Sequence, residues 1–224
     1  MRKVLNFVAR YIKDENFELD ERIPFFYLVF YVIGLFVRLL RGLLYLRKPI
    51  FLSRRCALKA VMKISIGEYS KIGEHCYFDG LSSGGIKIGR NASIGPYTRI
   101  ECSGSMRDIG KGIEVGDNFG VGAYAFFGCA GGVVIGDDVI MGQYVSFHSE
   151  NHNYSNADKK IKDQGVSRRG IVIGSDVWVG AKVTFLDGAS VSNRTIIAAG
   201  AVVVGEFPPG VVIGGVPAKV IKKI

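Results

Sequence analysis

Residues 171–197 read IVIGSDVWVGAKVTFLDGASVSNRTII, and an apolar residue returns in them at every sixth position: Ile173, Val179, Phe185, Val191 and Ile197. Gly174 and Gly180 follow the first two, and the fifth places hold Val177, Val183, Ala189 and Thr195. The hexads that open at Ile66, Ile72, Ile88, Ile94, Val115, Val121, Ile135 and Met141 also carry glycine second, from Gly67 and Gly73 through to Gly136 and Gly142. Their fifth places include Ser70, Cys76, Ala92, Thr98, Ala125, Val139 and Val145. A period of six fits neither the helical repeat nor simple strand alternation. It fits a parallel β-helix, with one short strand and one corner per hexad and three hexads to a coil of 18 residues. The first and fifth places are expected to face a crowded interior. Glycine is expected to let the chain turn at corners, some of which need positive φ.

These hexads resemble those of the hexapeptide-repeat acyltransferases. The resemblance covers roughly Ile64 to Ile224 and implies an all-β fold, a left-handed parallel β-helix, against the usual right-handed rule for parallel crossovers. The chain is expected to divide into a short helical segment, 1–60, and the β-helix, 61–224.

Charge separates the same two parts. Residues 1–60 hold twelve Lys or Arg against five Asp or Glu, so +7 of the net +9 precedes the repeat. A nucleic-acid surface would carry that charge among aromatics on the folded domain, so nucleic acid is not an expected partner. Cys56, Cys76, Cys102 and Cys129 are scattered without metal or redox spacing. No short apolar core with a small-residue exit opens the sequence, so a cleaved leader is not expected and a reducing cytoplasm is.

Fifteen residues without a charge, Ile23 to Val37, are followed by Arg38, Arg41, Arg47 and Lys48. The uncharged run is short of the ~20 apolar residues of a transmembrane helix. An interfacial helix over residues 23–48, its basic residues at anionic headgroups, fits better and would make the protein peripheral at the inner face of the cell membrane. A helix that caps the open end of the β-helix is the structural alternative.

The repeat fails at Phe147 to His152, FHSENH, where His148 takes the second place and Asn151 the fifth. A long non-repeating loop, 153–170, follows. Polar groups in coil positions cost stability unless they have a task, and a long loop that leaves a solenoid is usually functional. Here the resemblance narrows to the O-acetyltransferases of sugars and polysaccharides, on the strength of SENHNY and GIVIGSDVWVGA. It implies an acetyl-CoA-dependent homotrimer that acetylates a saccharide hydroxyl, with His152 as general base and direct transfer. An imidazole suits that task, because a sugar hydroxyl needs a base whose pKa lies near ambient pH. Glu150 and His148 are secondary catalytic candidates, and Asn151 and Tyr124 are candidates for acceptor contact. His75 reads as an exposed corner residue.

The resemblance also carries the donor path onto Trp178, Gly180 and Ala181, then Ala199 and Gly200, then Lys219 and Lys222, with the Ala181 N–H at the oxyanion. Two places depart from the family. Val204 and Gly205 replace a Thr-Lys pair at the last coil, and the asparagine that binds small-sugar acceptors is missing near Tyr124. N-acetylation of an amino or nucleotide sugar is the nearest alternative. A zinc site like that of β-helical carbonic anhydrases would need His75 beside His148 and His152, several coils away, so no metal is expected. A non-enzymatic scaffold would have no use for FHSENH.

Overall fold

The computed structural model describes Leu5, Asn6, Arg10 and residues 18–224. Short strands form one nine-stranded and two seven-stranded sheets, wound as a left-handed parallel β-helix. The first sheet runs from Phe51–Leu52 to Ile196–Ile197 and ends in the hairpin Val211–Gly215 and Ala218–Lys223. The second runs from Ala57–Lys59 to Val202–Val203, and the third from Ile64–Ile66 to Glu206–Phe207. One strand of each makes a coil, so the chain climbs through seven coils. We call the turn from first to second sheet the first corner, that from second to third the second corner, and that leading to the next coil the third.

Both apolar places of the hexad point inward. Ile66, Ile72, Val121, Met141 and Val179 are buried, as are Ser70, Cys76, Val145, Val183 and Ala201. In-register pairing stacks like on like: Phe127 pairs with Phe147 and Phe147 with Phe185, their ring centroids 4.8 and 4.4 Å apart. Coils stacked at about 4.8 Å leave no room for voids, so each phenylalanine of this inner column is worth roughly 3–5 kcal/mol against alanine.

The reason for the second-place glycines differs from the expected one. None of them has positive φ. A Cβ on Gly95 would lie 2.4 Å from the carbonyl carbon of Gly122 in the next coil, and one on Gly142 would lie 2.7 Å from the Ala181 nitrogen. Close approach between coils excludes the side chain. Positive φ falls instead on glycines of the second corner, Gly85, Gly112, Gly132, Gly170 and Gly188, and on the fourth place, at Arg55, His75, Tyr97, Tyr124, Tyr144 and Lys182 along the first corner and at Tyr69, Asn91, Asn118, Asp138, Asp176 and Arg194 along the third. Left-handed backbone costs a non-glycine residue about 1–2 kcal/mol, and ladders offset it. At the third corner Asn91 Nδ2 donates to Asn118 Oδ1 at 2.9 Å and Asn118 Nδ2 to Asp138 Oδ1 at 2.8 Å. At the first corner His75, Tyr97, Tyr124 and Tyr144 stack face to face at 4.8–5.0 Å. His75 is therefore a corner residue as expected, but the Tyr97 ring leaves it half-buried.

Coil length also departs from 18 residues. Phe127 and Phe147 are partners twenty residues apart and Ile100 and Phe127 twenty-seven, whereas Ile173 and Val191, Val179 and Ile197, and Phe185 and Val203 keep eighteen. All the surplus sits at the second corner, in Ala60–Lys63, Gly80–Gly85, Cys102–Gly112, Cys129–Gly132 and Ser149–Gly170. The boundary expected at residue 60 falls inside the first coil, because Phe51–Leu52 and Ala57–Lys59 already pair with Lys71–Ile72 and Tyr77–Asp79. Buried Ser53 stands there where the next five coils have glycine, which hides this coil from a glycine-keyed reading.

The same register pairs the cysteines that look scattered in sequence. Cys56 and Cys76 face each other across one coil step, as do Cys102 and Cys129, all four as free thiols. A hydrogen bond with Cys76 pulls the Cys56 thiol down to about 7, and the same bond pushes Cys76 up.

Helix α1, Phe25–Leu46, precedes the first coil. Its C-terminal end packs down on that coil: Gly42 lies so close to the Ile50 backbone that a Cβ would overlap its carbonyl oxygen, and Leu46 packs against the core. The helix is long and apolar enough to cross a membrane, with mean hydropathy 1.8, yet only 11% of that stretch is buried.

Candidate active site

At the fifth coil the chain leaves the second sheet after Ser146–His148 and does not return to the third until Ile171. Ser149 makes the exit possible. Its buried hydroxyl donates to the Gly128 carbonyl at 2.8 Å and accepts the Gly131 N–H at 2.9 Å, which satisfies the corner below while the chain turns outward. Asn151–His152 then pairs antiparallel with Val166–Ser167, Asn151 opposite Ser167 and His152 opposite Val166. The expected loop is thus an arm with a two-stranded base. Gln164 knits its outer part, donating to the Asn156 and Lys159 carbonyls at 2.8 Å and accepting the Asn156 N–H. The return is anchored by Asp187, a 5% exposed carboxylate that accepts the N–H groups of Arg169 and Gly170 at 2.9 and 2.7 Å.

His152 stands exposed at this base. His148, also exposed, tilts against Phe126 with ring centroids 5.6 Å apart. Beside it lies a cleft of about 200 Å³ lined by Glu101, Phe126, His148, Ser149 and Glu150. The Glu150 carboxylate is engaged by Arg168, whose Nε donates at 2.6 Å, and Arg168 also reaches Asp108 at 2.8 Å. That pairing, with the Glu150 hydrogen bond as its main cause, holds the guanidinium pKa above its ordinary value.

The donor candidates gather elsewhere. Trp178 is exposed on the first sheet between Ile140 and Ile196, beside a cleft of about 290 Å³ that Arg194 and Ile224 help to line. Gly180 and Ala181 follow at the first corner, with Ala199 and Gly200 one coil above. A Cβ on Gly180 would meet the Ala199 nitrogen at 2.5 Å. The Ala181 N–H has no hydrogen-bond partner among the described residues. Lys219 and Lys222 are exposed on the last strand, opposite Gly214 and Val212. Tyr124 lies on this side too, between Tyr97 and Tyr144 in the first-corner stack, and so apart from His152. His148, Glu150, Asn151 and His152 thus lie together at one edge of the second sheet, and the Gly180–Ala181 set at the other. Strands of three residues, about 10 Å, separate the edges. His75 sits at the first corner in the second coil, and among the described residues no group of three His, Cys, Asp or Glu is arranged for a metal.

Sequence reading missed Arg168, Asp187 and the second excursion, Cys102–Gly112. The signal for the last was the gap of twenty-one residues between the hexads at Ile94 and Val115, too long for two strands.

No family model matches the chain. A galactoside O-acetyltransferase of Escherichia coli is 33% identical over 92 residues, 41% of this chain and 44% of that protein. The chain's curated relatives include a sugar O-acetyltransferase. It spans only 30% to 50% of the length of the first such relatives. In fold it matches a maltose O-acetyltransferase from Clostridium difficile, with TM-score 0.50, 24% identity and coverage of 71% and 69% of the two chains. It also matches a variant of AntD, an N-acyltransferase from Bacillus cereus in complex with dTDP and coenzyme A, with TM-score 0.53, 18% identity and coverage of 79% and 81%. At these identities the two structures speak for the β-helix alone.

Proposed function

We propose that this chain is an acetyl-CoA-dependent O-acetyltransferase that acts on a saccharide hydroxyl of a cell-surface polysaccharide or its lipid-linked precursor. The observation that carries this reading is the arm: a β-helix whose first corner is regular throughout builds one polar hairpin and sets a histidine on its base. In this reading His152 takes the proton from the acceptor hydroxyl as the hydroxyl oxygen attacks the thioester carbonyl, and gives it to the coenzyme A sulfur as the C–S bond breaks, so no acyl-enzyme forms. The Ala181 N–H, which has no other partner among the described residues, donates to the oxyanion that develops. Trp178, Gly180, Ala199 and Gly200 line the path of the pantetheine arm, and Lys219 and Lys222 meet the phosphates by charge-assisted contacts. His148, Glu150, Asn151 and Tyr124 face the acceptor or support its site.

A homotrimer is part of the proposal. The base and the oxyanion donor stand at opposite edges of one sheet, so they meet when the second corner of one β-helix lies against the first corner of its neighbour.

Membrane-surface contact through residues 23–48, at the cytoplasmic face, is the remaining part. At 100° per residue, exposed Phe26, Phe30, Ile33, Phe36, Leu40 and Leu44 share one face of α1. Tyr27, Tyr31, Arg38, Arg41 and Tyr45 form a stripe between that face and the protein-facing side, which carries buried Leu28 and Gly42. Arginine and tyrosine along the flank suit a helix lying in the headgroup plane better than one crossing it. Co-sedimentation with phosphatidylglycerol vesicles should persist in high salt, and a fully soluble protein would refute the contact.

The enzymatic reading is tested by acetyl transfer from acetyl-CoA to a panel of galactosides, maltose and an amino sugar. Wild type should transfer to a hydroxyl, and His152→Ala should keep coenzyme A binding while losing ~100-fold or more in rate. Equal rates in the two proteins would remove His152 as base, and transfer to the amino sugar alone would make the enzyme an N-acetyltransferase.

A further inference from the structure

The excursions from the third and fifth coils meet over the short corner of the fourth, Cys129–Gly132, and one side chain joins them. Arg168 directly follows the returning strand of the arm, Val166–Ser167. Its Nε donates to Glu150 Oε2 at 2.6 Å, on the outgoing side of the same arm, and its terminal nitrogens donate to Asp108 Oδ2 at 2.8 Å and to the Asp108 carbonyl at 3.3 Å. The guanidinium side chain is only 16% exposed although it lies in surface excursions. Lys111, from the same third-coil excursion, adds a hydrogen bond from Nζ to the Arg168 carbonyl at 3.3 Å.

We propose that Arg168 is a positioning residue for His152, and that the Cys102–Gly112 excursion exists to brace the arm through it. The inference rests on the reading of His152 as general base. Two carboxylates from different coils on one planar fork leave the arm base little freedom, since the guanidinium binds in fixed directions. Val166, the backbone partner of His152, precedes Arg168 by two residues, so any swing of the returning strand moves the imidazole directly. An exposed two-stranded hairpin is marginal by itself, and a base held only by its own two residue pairs would open often. The clamp also accounts for the length of the third coil, whose surplus residues deliver Asp108 and Lys111 upward past the fourth.

The test is amide hydrogen exchange on the full-length protein with Arg168→Met, Arg168→Lys and Asp108→Asn, read with no acceptor or donor present. Arg168→Met should speed exchange at residues 151–153 and 165–167 by ~10-fold or more while leaving the coil strands unchanged. Arg168→Lys, which keeps charge without the fork, should recover part of the protection, and Asp108→Asn should lose part of it. In acetyl transfer to a galactoside acceptor, kcat should fall for Arg168→Met with the KM for acetyl-CoA unchanged, and Arg168→Lys should regain part of it. Unchanged exchange at the arm base in Arg168→Met would overturn the proposal, as would loss of protection throughout the β-helix. If the wild type transfers no acetyl group yet the arm base loosens as described, the clamp stands and the functional reading fails.

Discussion

The first and second corners of this β-helix are made by the same chain at the same coils, yet they obey opposite rules. At the first corner each coil spends the same few residues, with its fourth place left-handed, and the side chains stack into one column from His75 to Tyr144. At the second, no single length is kept: three residues separate the strands in the sixth coil, four in the fourth, eleven in the third and twenty-two in the fifth. Stacking explains the contrast. A ladder gains only if every coil keeps register, so one irregular coil would forfeit contacts above and below. A corner without a ladder can absorb insertions at the small cost of loop closure. Function is expected where insertion is cheap, and the candidate base is found there.

Breaking the regular corner should have the larger effect. Gly95→Val puts a branched side chain where even a Cβ would lie 2.4 Å from backbone of the next coil, with no flexible neighbour to give way. We expect a loss above ~4 kcal/mol, seen as insoluble expression or collapse of the thermal transition. A stable, soluble protein would show that coils separate more easily than their spacing implies.

Removing one rung of the column should do less. Tyr124→Ala deletes two stacked contacts, at 4.8 and 5.0 Å, and should cost about 1–3 kcal/mol by denaturant titration. Tyr124→Gly should cost about 1 kcal/mol less than alanine, because glycine adopts φ near 60° without strain. If both variants match wild type, the rings fill the corner without holding it.

How much of this was legible in the sequence follows from the same contrast. The first and fifth places reported the core because burial selects residue type directly, as at Phe147 and Val145. Second-place glycine was visible but its cause was not, since a close approach between Gly95 and Gly122 exists only once coils are stacked. The cysteine pairs were hidden for the same reason: their spacing of one coil means nothing until coil length is known, and coil length varies at the second corner. FHSENH marked the departure point of the arm because polar residues break a repeat conspicuously. Arg168 and Asp108 were silent, since charged residues in a polar loop are unremarkable until two loops meet.

The most direct test of that division between scaffold and site is to make the fifth coil obey the fourth. Replacing residues 150–170 by Ala-Gly-Gly gives the fifth coil a four-residue corner while keeping Ser149 and its hydrogen bonds to the corner below. Thermal stability and coenzyme A binding are expected to stay near wild type, while acetyl transfer falls to background. Transfer at the wild-type rate would contradict the assignment of the site to the arm, and an unfolded product would contradict the claim that the second corner is free to vary.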